Sequence, residues 1–266
     1  MSKKKPPYAL ITGASSGIGA ELARAWARRG QPLILVARRT DRLRALADEL
    51  SPSVPCEVLT CDLEDPDAPA SLERELERRG LPVAHLVNNA GYGVPGTYRG
   101  VAWEVHQRFL QIMVHAVCEL SWRLLPGIQQ HRGGIINVAS LAGHVPGSAG
   151  HTLYGASKAF MIKFSQSLAL ENKPRGVRVL ALCPGFTLSE FHDITGTRKQ
   201  VSRMPKWMWM TSEQVAEDGL QAYERGEIVW IPGRMNRMIK RFTEALPDRL
   251  ALGIVQKRSN RFRKLD

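Results

Sequence analysis

A tyrosine and a lysine stand four residues apart in the segment Tyr154-Gly-Ala-Ser-Lys158. If this segment is helical, the two side chains lie on one face, one turn apart. A free tyrosine, with a pKa of ~10, is a poor base at neutral pH, but a nearby ammonium group lowers that pKa. Such a pair can pass a proton to or from a carbonyl or alcohol oxygen. The spacing alone is equally typical of a solvated helix face.

A hydroxyl group is predicted close to this pair. The run Ile135-Ile-Asn-Val-Ala-Ser140 resembles a strand that ends in a serine, and parallel α/β sheets place their sites at the carboxyl ends of strands. We therefore predict Ser140 as the third catalytic residue beside Tyr154 and Lys158. Ser148 is a minor alternative.

A glycine-rich segment, Thr12-Gly-Ala-Ser-Ser-Gly-Ile-Gly19, follows the first predicted strand and opens the first predicted helix. This context is the one in which such a segment binds phosphate, because glycines let the backbone approach a pyrophosphate and the helix N-terminus presents free N–H groups to it. The segment therefore predicts a dinucleotide site. Its predicted contacts are Gly13, Ser15, Ser16, Gly17, Ile18 and Gly19.

The end of the second predicted strand, Leu35-Val-Ala-Arg-Arg39, indicates which nicotinamide cofactor is bound. An acid there would bind a ribose 2′-hydroxyl and repel a 2′-phosphate, but Ala37 takes that place. Arg38 and Arg39 follow, and their guanidinium groups suit a phosphate, although two solvated arginines would give the same pattern. We predict NADP(H) rather than NAD(H). Asp62, after the third strand, is predicted to accept a hydrogen bond from the adenine amino group.

Short aliphatic runs alternate with segments of helical spacing along the whole chain. Seven strands are predicted, at 8–12, 33–37, 56–60, 85–88, 135–139, 177–183 and 228–231. Six helices are predicted, at 18–29, 41–50, 68–79, 103–129, 154–172 and 212–224. This alternation predicts an α/β fold in which residues 1–266 form a single domain around a Rossmann-like, doubly wound parallel sheet of about seven strands.

Two segments depart from the alternation. Residues 184–211 are long for a connection, and we predict a substrate lid there. Residues 236–266 are predicted to add one or two basic amphipathic helices that cover the substrate side or an oligomer contact. The lid contains an apolar set that either lines a pocket for a hydrophobic substrate or merely buries the lid: Phe186, Phe191, Met204, Trp207, Met208, Trp209 and Met210.

Taken together, these motifs resemble the short-chain dehydrogenase/reductase family. The glycine-rich segment, Asn88-Asn-Ala-Gly91, Ser140, Tyr154-x-x-x-Lys158 and Cys183-Pro-Gly185 occur in the family's order over about two thirds of the chain. The resemblance implies that Tyr154 is the general acid/base, that Lys158 lowers its pKa and binds ribose, and that Ser140 orients the substrate oxygen. It implies an oxidoreductase that transfers a hydride between NADP(H) and a carbonyl or secondary alcohol. The apolar residues of the lid favour an apolar substrate.

Further cofactor contacts follow from the resemblance. It places Asn88 and Gly91 near the adenosine ribose, and the Pro184-Gly185 turn, with Thr187 or Ser189, at the nicotinamide carboxamide. The remaining residues assigned to the cofactor are Leu63, Asn89 and Ala90, together with the catalytic residues Tyr154 and Lys158. The family is usually dimeric or tetrameric through the helices corresponding to 103–129 and 154–172, so a homodimer or homotetramer is expected.

The chain departs from the family at one position in the long central helix. Most members carry an asparagine thirteen residues before the closing proline, where it helps to hold a water that links the lysine to solvent. Counting back from Pro126 gives Met113. The relay then depends on a backbone carbonyl or on His115, and slower turnover is expected. The alternative function is a catalytically impaired, NADP(H)-binding regulator of the same fold.

Net charge and the numbers and spacing of cysteines and histidines bear on the other possible partners, on the compartment and on metal binding. The net charge of +12 is concentrated partly in the clusters at 3–5 and 257–264, and no nucleic-acid-binding motif accompanies them, so we predict no nucleic-acid partner. Weak contact of the basic C-terminus with an anionic membrane surface remains an alternative. Four cysteines without paired spacing, and a start without an apolar stretch, predict free thiols and a cytoplasmic protein. Seven histidines without ligand spacing predict no metal.

Overall fold

The strands and helices alternate as the sequence predicts in the computed structural model, which describes residues 5–150, 152–190 and 205–262. The strands are β1 (Tyr8–Thr12), β2 (Leu33–Ala37), β3 (Cys56–Thr60), β4 (Val83–Asn88), β5 (Gly134–Val138), β6 (Arg178–Leu182), β7 (Thr187–Leu188), β8 (Met210–Thr211) and β9 (Val229–Trp230). The helices are α1 (Gly17–Arg28), α2 (Thr40–Leu50), α3 (Ala68–Arg79), α4 (Trp103–Leu110), α5 (Ala116–Gln130), α6 (Thr152–Asn172), α7 (Ser212–Glu224), α8 (Arg234–Ala245) and α9 (Asp248–Phe262).

Seven of the strands form one parallel sheet in the order β3-β2-β1-β4-β5-β6-β9. Ile11 of β1 pairs with Leu35 of β2 on one side and with Val87 of β4 on the other. The strand order therefore reverses beside β1, and in such sheets ligands bind in the crevice at the carboxyl ends of the strands at this point. The predicted single-domain, Rossmann-like fold is confirmed.

Helices cover both faces of the sheet, which explains why its strands are nearly continuous apolar runs. One apolar layer lies under α1, α2 and α7, where Leu22, Leu43 and Leu220 are fully buried. The opposite layer lies under α3, α4, α5 and α6, where Phe109 and Leu120 are buried. The sheet is thus held from both sides, and its carboxyl edge is a rigid base for the loops that follow each strand.

Most predicted boundaries agree with the structure within a few residues. The first three strands match, whereas β4 begins two residues before its predicted start. The predicted helix 103–129 is not continuous, because a π-helical turn at Gln111–His115 separates α4 from α5. The short pair β7 and β8 was not predicted, since strands of two residues leave no periodicity to detect. The two predicted C-terminal helices are present as α8 and α9, and α8 begins two residues before the predicted extension.

The predicted lid is described only at its two ends. Phe191 and Met204 lie outside the described residues. Phe186 packs against Trp209, with ring centres 5.5 Å apart, while Trp207 is exposed. No helix in the described ranges is both long enough and apolar enough to cross a membrane.

A half-buried histidine of β4 gives the fold a predictable response to acid. His85 stacks on Trp26 with ring centres 4.7 Å apart, and its Nδ1 lies 2.8 Å from the Tyr223 hydroxyl. Burial lowers the pKa of His85 from 6.5 to about 4, and Arg178 and His131 add to the effect. The unfolded chain therefore binds a proton at a pH where the folded chain does not.

The free energy of unfolding is expected to fall by roughly 2–3 kcal/mol as the pH drops from about 6.5 towards 4. The stabilisation is fully present above the unfolded pKa and is lost as the pH falls through this window. Denaturant titrations between pH 7 and pH 4.5 measure it. His85→Phe should flatten the slope, and the exposed His115→Gln should keep it. An equal slope in wild type and His85→Phe would refute the assignment.

Candidate active site

A single cleft of about 1630 Å³ runs along the carboxyl edge of the sheet. It collects residues from the loops after β1, β2, β3, β4, β5 and β6, together with residues of α6 and α8. Every residue predicted for catalysis or for the cofactor lines it except Gly19 and Asn88. The predicted residues that line it are Gly13, Ser15, Ser16, Gly17, Ile18, Arg38, Arg39, Asp62, Leu63, Asn89, Ala90, Gly91, Ser140, Tyr154, Lys158, Pro184, Gly185, Thr187 and Ser189.

The glycines after β1 are required by the local backbone. Gly13 and Gly17 have φ angles of 64° and 58°, a region that side chains disfavour. A Cβ on Gly13 would lie 2.8 Å from Asn89 Nδ2. Gly19 does not line the cleft, but a Cβ there would collide with the carbonyl oxygen of Gly13. Its role is therefore to let α1 pack closely beneath the loop, which presents bare backbone to the cleft.

Thr12 and Asn89 fasten this loop to the end of β4. The Thr12 hydroxyl donates to the Val87 carbonyl at 3.1 Å and accepts from the backbone N–H of Asn89 at 3.0 Å and of Ala90 at 3.1 Å. Asn89 Nδ2 donates to the Thr12 carbonyl at 2.9 Å. The loops after β1 and β4 are consequently one rigid unit.

Asn88, which the resemblance placed near the adenosine ribose, points elsewhere. Its side chain is buried and donates to Asn137 at 2.8 Å and to Ser121 at 3.1 Å. Asn137 continues this network to Ser165 at 2.9 Å. Since consecutive strand residues face opposite sides of the sheet, Asn88 and Asn89 cannot both line the cleft. The expectation for Asn88 was therefore wrong, and its role is to join β4 to α5 and β5.

The two arginines after β2 have different surroundings. Arg39 lies against the glycine-rich loop, where it donates to Ser15 Oγ at 3.0 Å and to Ser16 Oγ at 2.8 Å. Arg38 instead contacts Glu64 at 3.1 Å and lies 3.6 Å from Asp62. Arg39 and the two serines therefore converge on one point of the cleft, and Arg38 already shares its charge with two carboxylates.

The three predicted catalytic residues come together at the middle of the cleft. Tyr154 and Ser140 are hydrogen-bonded through their side chains, which favours Ser140 over Ser148. Lys158, one helical turn along α6, is buried and donates from Nζ to the Val138 carbonyl at 2.7 Å. Its Nζ lies 5.8 Å from the centre of the Tyr154 ring. The helical face predicted from the four-residue spacing is present.

The proton affinities of this pair differ from the expectation. Burial raises the pKa of Tyr154 above 10, and the hydrogen bond with Ser140 lowers it only in part. Burial lowers the pKa of Lys158 to about 8. Burial of the phenol therefore shifts the Tyr154 pKa in the direction opposite to the lowering expected from Lys158.

Met113 lies in the π-helical turn between α4 and α5 and lines the cleft. Its sulfur packs against Gly91, and a Cβ at Gly91 would collide with it. The side chain is 1% exposed. His115 is exposed and does not line the cleft, so it does not replace an asparagine in a proton relay. The position that usually holds a polar amide is filled by an apolar contact.

The Pro184-Gly185 turn, predicted to lie at the nicotinamide carboxamide, lines the cleft together with Asn236 of α8. The Pro184 carbonyl accepts from the Leu141 N–H at 2.9 Å, and the buried Thr187 hydroxyl donates to the Gly185 carbonyl at 3.2 Å. Asn236 of α8 packs on Gly185, where a Cβ would collide with it. Its Nδ2 donates to the Pro232 carbonyl at 2.8 Å. The C-terminal helices are thereby anchored at the Pro184-Gly185 turn.

Beyond Tyr154 the cleft opens into an apolar lobe. We call this the substrate lobe, and it is represented by Val145, Phe186, Met208, Met238, Phe242 and Ile254. Three of these residues come from α8 and α9, so the C-terminal extension contributes to the wall of the cleft. In the described part of the lid, Phe186 and Met208 line the cleft. The contribution of individual residues of α8 and α9 could not be predicted, since amphipathic spacing does not identify the surface that a helix covers.

No group of three or more potential metal-ligating side chains is present in the described ranges. All four cysteines are free thiols, as predicted. The charged residues lining the cleft, within the same ranges, are Arg38, Arg39, Asp62, Glu64, Lys158 and Glu190. Glu64 and Glu190 were not predicted, because an isolated glutamate in a loop carries no recognisable signal.

Comparisons with known proteins agree with this arrangement. A family model described as short chain dehydrogenase matches residues 7–199. Sulfoacetaldehyde reductase 2 of Chromohalobacter salexigens is 36% identical over 185 residues, covering 68% of this chain and 73% of that protein.

Two solved structures are similar over nearly the whole chain. A short-chain dehydrogenase from Sphingobium yanoikuyae in complex with NADPH is 34% identical, with a TM-score of 0.79 over 91% of this chain and 96% of that one. The bulky-bulky ketone specific alcohol dehydrogenase from Comamonas testosteroni is 31% identical, with a TM-score of 0.74 over 91% of this chain and 95% of that one. Since the family model covers most of the chain and its motifs meet in one cleft, the protein belongs to the short-chain dehydrogenase family of oxidoreductases.

Proposed function

We propose that the protein is an NADP(H)-dependent reductase or dehydrogenase that acts on a bulky, uncharged carbonyl compound or the corresponding secondary alcohol. The observation that carries the proposal is that the hydrogen-bonded Ser140 and Tyr154 line the same cleft as the glycine-rich loop and the apolar substrate lobe. A hydride donor on one side and a carbonyl on the other would meet at these two hydroxyls. The direct test is NADPH oxidation in step with ketone reduction.

The residues present fit a phosphorylated dinucleotide. The bare backbone at Gly13 and Gly17 leaves room for a pyrophosphate at the N-terminus of α1. Arg39, Ser15 and Ser16 supply a cation and two hydroxyls for a 2′-phosphate. NADPH-bound and NADP+-bound structures among the similar proteins support the same choice.

The adenine and ribose contacts are assigned from the same cleft. Asp62 and Leu63 would lie at the adenine, with Asp62 as acceptor for the amino group. Asn89, Ala90 and Gly91 would lie at the adenosine ribose. Pro184, Gly185, Thr187 and Ser189 would hold the nicotinamide carboxamide, a role consistent with the fastened turn at that end.

The chain's own groups can handle the proton. When bound, the reduced cofactor supplies the hydride to the carbonyl carbon. Ser140 donates a hydrogen bond to the carbonyl oxygen and orients it, and Tyr154 delivers the proton to that oxygen. The raised pKa keeps the phenol protonated, which suits a proton donor in the reducing direction. Lys158 binds the ribose hydroxyls and stabilises the phenolate that remains.

The substrate class follows from the lobe. It is lined by apolar side chains, and the charged cleft residues in the described ranges belong to the cofactor end or the catalytic pair. A sulfonate or carboxylate buried in such a lobe would find no charged partner among the described residues of the lobe, which is costly. An uncharged ketone with large groups on both sides fits, as in the similar bulky-bulky ketone specific enzyme. The segment at the lobe's edge, residues 184–211, is proposed to act as its lid.

Cofactor choice provides a sharp prediction. NADPH is expected to bind at least about tenfold more tightly than NADH, equivalent to about 1.4 kcal/mol. Arg39→Ala should remove most of this preference, because Arg39 faces Ser15 and Ser16. Arg38→Ala should remove less, because Glu64 and Asp62 already neutralise it. Fluorescence titration of both cofactors measures the ratio, and equal affinities in the wild type would contradict the assignment.

The regulator alternative has less support. This alternative was suggested by the apolar Met113 at the position of the usual asparagine. However, the catalytic residues Ser140, Tyr154 and Lys158 are present and lie together in the cleft. An impaired enzyme that binds NADPH would show no ketone-dependent NADPH oxidation. We therefore retain the reductase as the proposal.

A homodimer or homotetramer is proposed through α4, α5 and α6. Large apolar side chains are exposed on these helices, notably Trp122 at 73% and Leu170 at 66%, together with Trp103 and Phe160. Contiguous exposed apolar surface marks interaction sites. Light scattering of the wild type and of Trp122→Asp would show the assembly and its loss. The four free thiols support a reducing compartment such as the cytoplasm.

Weak contact with an anionic membrane is proposed for the outer face of α8. Met235, which does not line the cleft, is exposed there, and Arg234 and Arg241 are exposed on the same helix. Basic amphipathic helices of this kind lie on anionic lipid surfaces.

The membrane contact predicts a salt-dependent association. Sedimentation with vesicles of anionic phospholipid is expected at low salt and should weaken at high salt. Neutral phosphatidylcholine vesicles are the control. Equal sedimentation with both vesicle types, or with neither, would contradict the contact.

A further inference from the structure

The chain returns to the glycine-rich loop immediately after β7. Ser189 lies so close to Gly17 that a Cβ on that glycine would be 3.2 Å from the Ser189 Cβ. The next residue, Glu190, lines the cleft. Its carboxylate accepts from Arg39 Nη1 at 3.0 Å and from Arg42 Nη1 at 2.6 Å. A negative charge is therefore held at the arginines beside the loop.

Arg39 divides its donors between this carboxylate and the loop. Nη1 binds Glu190, Nη2 binds Ser15 and Ser16, and Nε lies 3.2 Å from Ser15 Oγ. The two arginines lower the pKa of Glu190, so the carboxylate is charged at neutral pH. A phosphate that accepts from Arg39 and from the two serines would lie close to this charge, and like charges repel.

The ion pairs of Glu190 are partly exposed to solvent, so another anion can replace the carboxylate. The side chains of Arg39, Arg42 and Glu190 are 37%, 44% and 40% exposed. Ion pairs in such surroundings contribute little to stability, since solvent screens them. A phosphate dianion carries more charge and more acceptors than one carboxylate, so it can replace the carboxylate at a guanidinium group.

We propose that Glu190 is a specificity-determining residue of the cofactor site, an internal anion that holds Arg39 and Arg42 until the 2′-phosphate of the cofactor displaces it. The proposal rests on the proposed preference for NADP(H). In the free protein, the ion pairs of Glu190 with Arg39 and Arg42 hold the two residues after β7, Ser189 and Glu190, beside the glycine-rich loop. The arriving 2′-phosphate takes over Arg39, and Arg42 becomes available to it. Ligands without that phosphate leave Glu190 in place and do not compete with it.

Two possible roles of Glu190, supporting the arginines or competing with the phosphate, predict opposite changes in phosphate affinity when its charge is removed. If Glu190 only supports the arginines in their binding positions, removing its charge would weaken phosphate binding. If it competes with the phosphate, removing its charge strengthens phosphate binding and leaves unphosphorylated ligands unaffected. Glu190→Gln separates the two roles, because it keeps the size of the side chain and removes only the charge.

The test is calorimetric titration of the full chain with 2′,5′-ADP and with 5′-AMP, which differ by the 2′-phosphate. Glu190→Gln is expected to bind 2′,5′-ADP about tenfold more tightly than the wild type and to bind 5′-AMP with unchanged affinity. Glu190→Ala should change the affinities in the same direction. Glu217→Gln is the matched control, since Glu217 also pairs with an arginine, Arg29, at 2.7 Å but lies away from the cleft. It should match the wild type with both ligands.

Unchanged or weaker binding of 2′,5′-ADP by both Glu190 variants would overturn the proposal while leaving the cofactor assignment intact. Equal affinity of the wild type for the two ligands would show that no 2′-phosphate site exists. The proposed cofactor choice would then fail, and this inference with it. The two failures are distinguishable because the second is measured on the wild type alone.

Discussion

Tyr154→Phe is expected to reduce ketone turnover by roughly 10²–10⁴-fold, the usual contribution of a positioned general acid. The variant removes the proton donor that is hydrogen-bonded to Ser140 and keeps the ring. Since the ring is not assigned to the cofactor, the affinity for NADPH should remain within about twofold, so the loss should appear in kcat. Steady-state kinetics together with NADPH titration measure both quantities.

Tyr92→Phe is the matched control for this experiment. Tyr92 also lines the cleft, where its ring packs edge-on against Phe109 with centres 5.9 Å apart. Loss of its hydroxyl should leave turnover nearly unchanged. If Tyr154→Phe retained more than a tenth of the wild-type rate, or if both variants lost activity equally, Tyr154 would not be the proton donor.

Lys158→Met is expected to impair both catalysis and cofactor binding. The buried ammonium group donates to the Val138 carbonyl and faces the Tyr154 ring. Without it, the phenolate loses its nearest cation and the ribose loses a donor. We expect turnover to fall by roughly 10²-fold or more, with NADPH affinity reduced by about tenfold. The exposed Lys163 on the same helix provides the control, and Lys163→Met should be neutral.

The pH dependence gives a second readout for Lys158. Its pKa of about 8 in the free protein means that the ammonium form is lost as the pH rises through that value. The value of kcat/KM for NADPH, which reports groups of the free enzyme, should therefore decline above about pH 8. Lys158→Met should lack this decline. A decline that persists in the variant would assign it to another group.

The strands of the sheet could be predicted closely because their boundaries depend on the residue types within and next to each strand. Each of the first three strands is a run of five residues that follows a proline, and β1 and β2 are followed by a glycine and an arginine. Short apolar runs of this kind are typical of buried parallel strands. The π-helical turn at Gln111–His115 could not be predicted in this way. Its sequence is compatible with an ordinary α-helix, so residue type and spacing do not distinguish the two.

The site was predictable where the motif fixes the backbone. Gly13 and Gly17 lie in the left-handed region, and Tyr154 and Lys158 share a helix face, so residue type and spacing were sufficient. Whether Arg38 or Arg39 faces the loop depends on distant partners, Glu64 and Glu190, which no local pattern identifies. The pKa of Tyr154 was misjudged for a related reason. Spacing predicted the cation, but burial depends on the whole fold.

The central claim is reduction of a bulky, uncharged ketone by NADPH in this cleft, and the most direct measurement is the absorbance of NADPH with a panel of carbonyl compounds. The panel should contain ketones with two large apolar groups, small aliphatic ketones, and anionic aldehydes such as sulfoacetaldehyde. We predict the highest kcat/KM for the bulky ketones, one alcohol formed per NADPH consumed, and little turnover of the anionic aldehydes. NADPH binding without consumption above the buffer rate for any carbonyl would contradict the account.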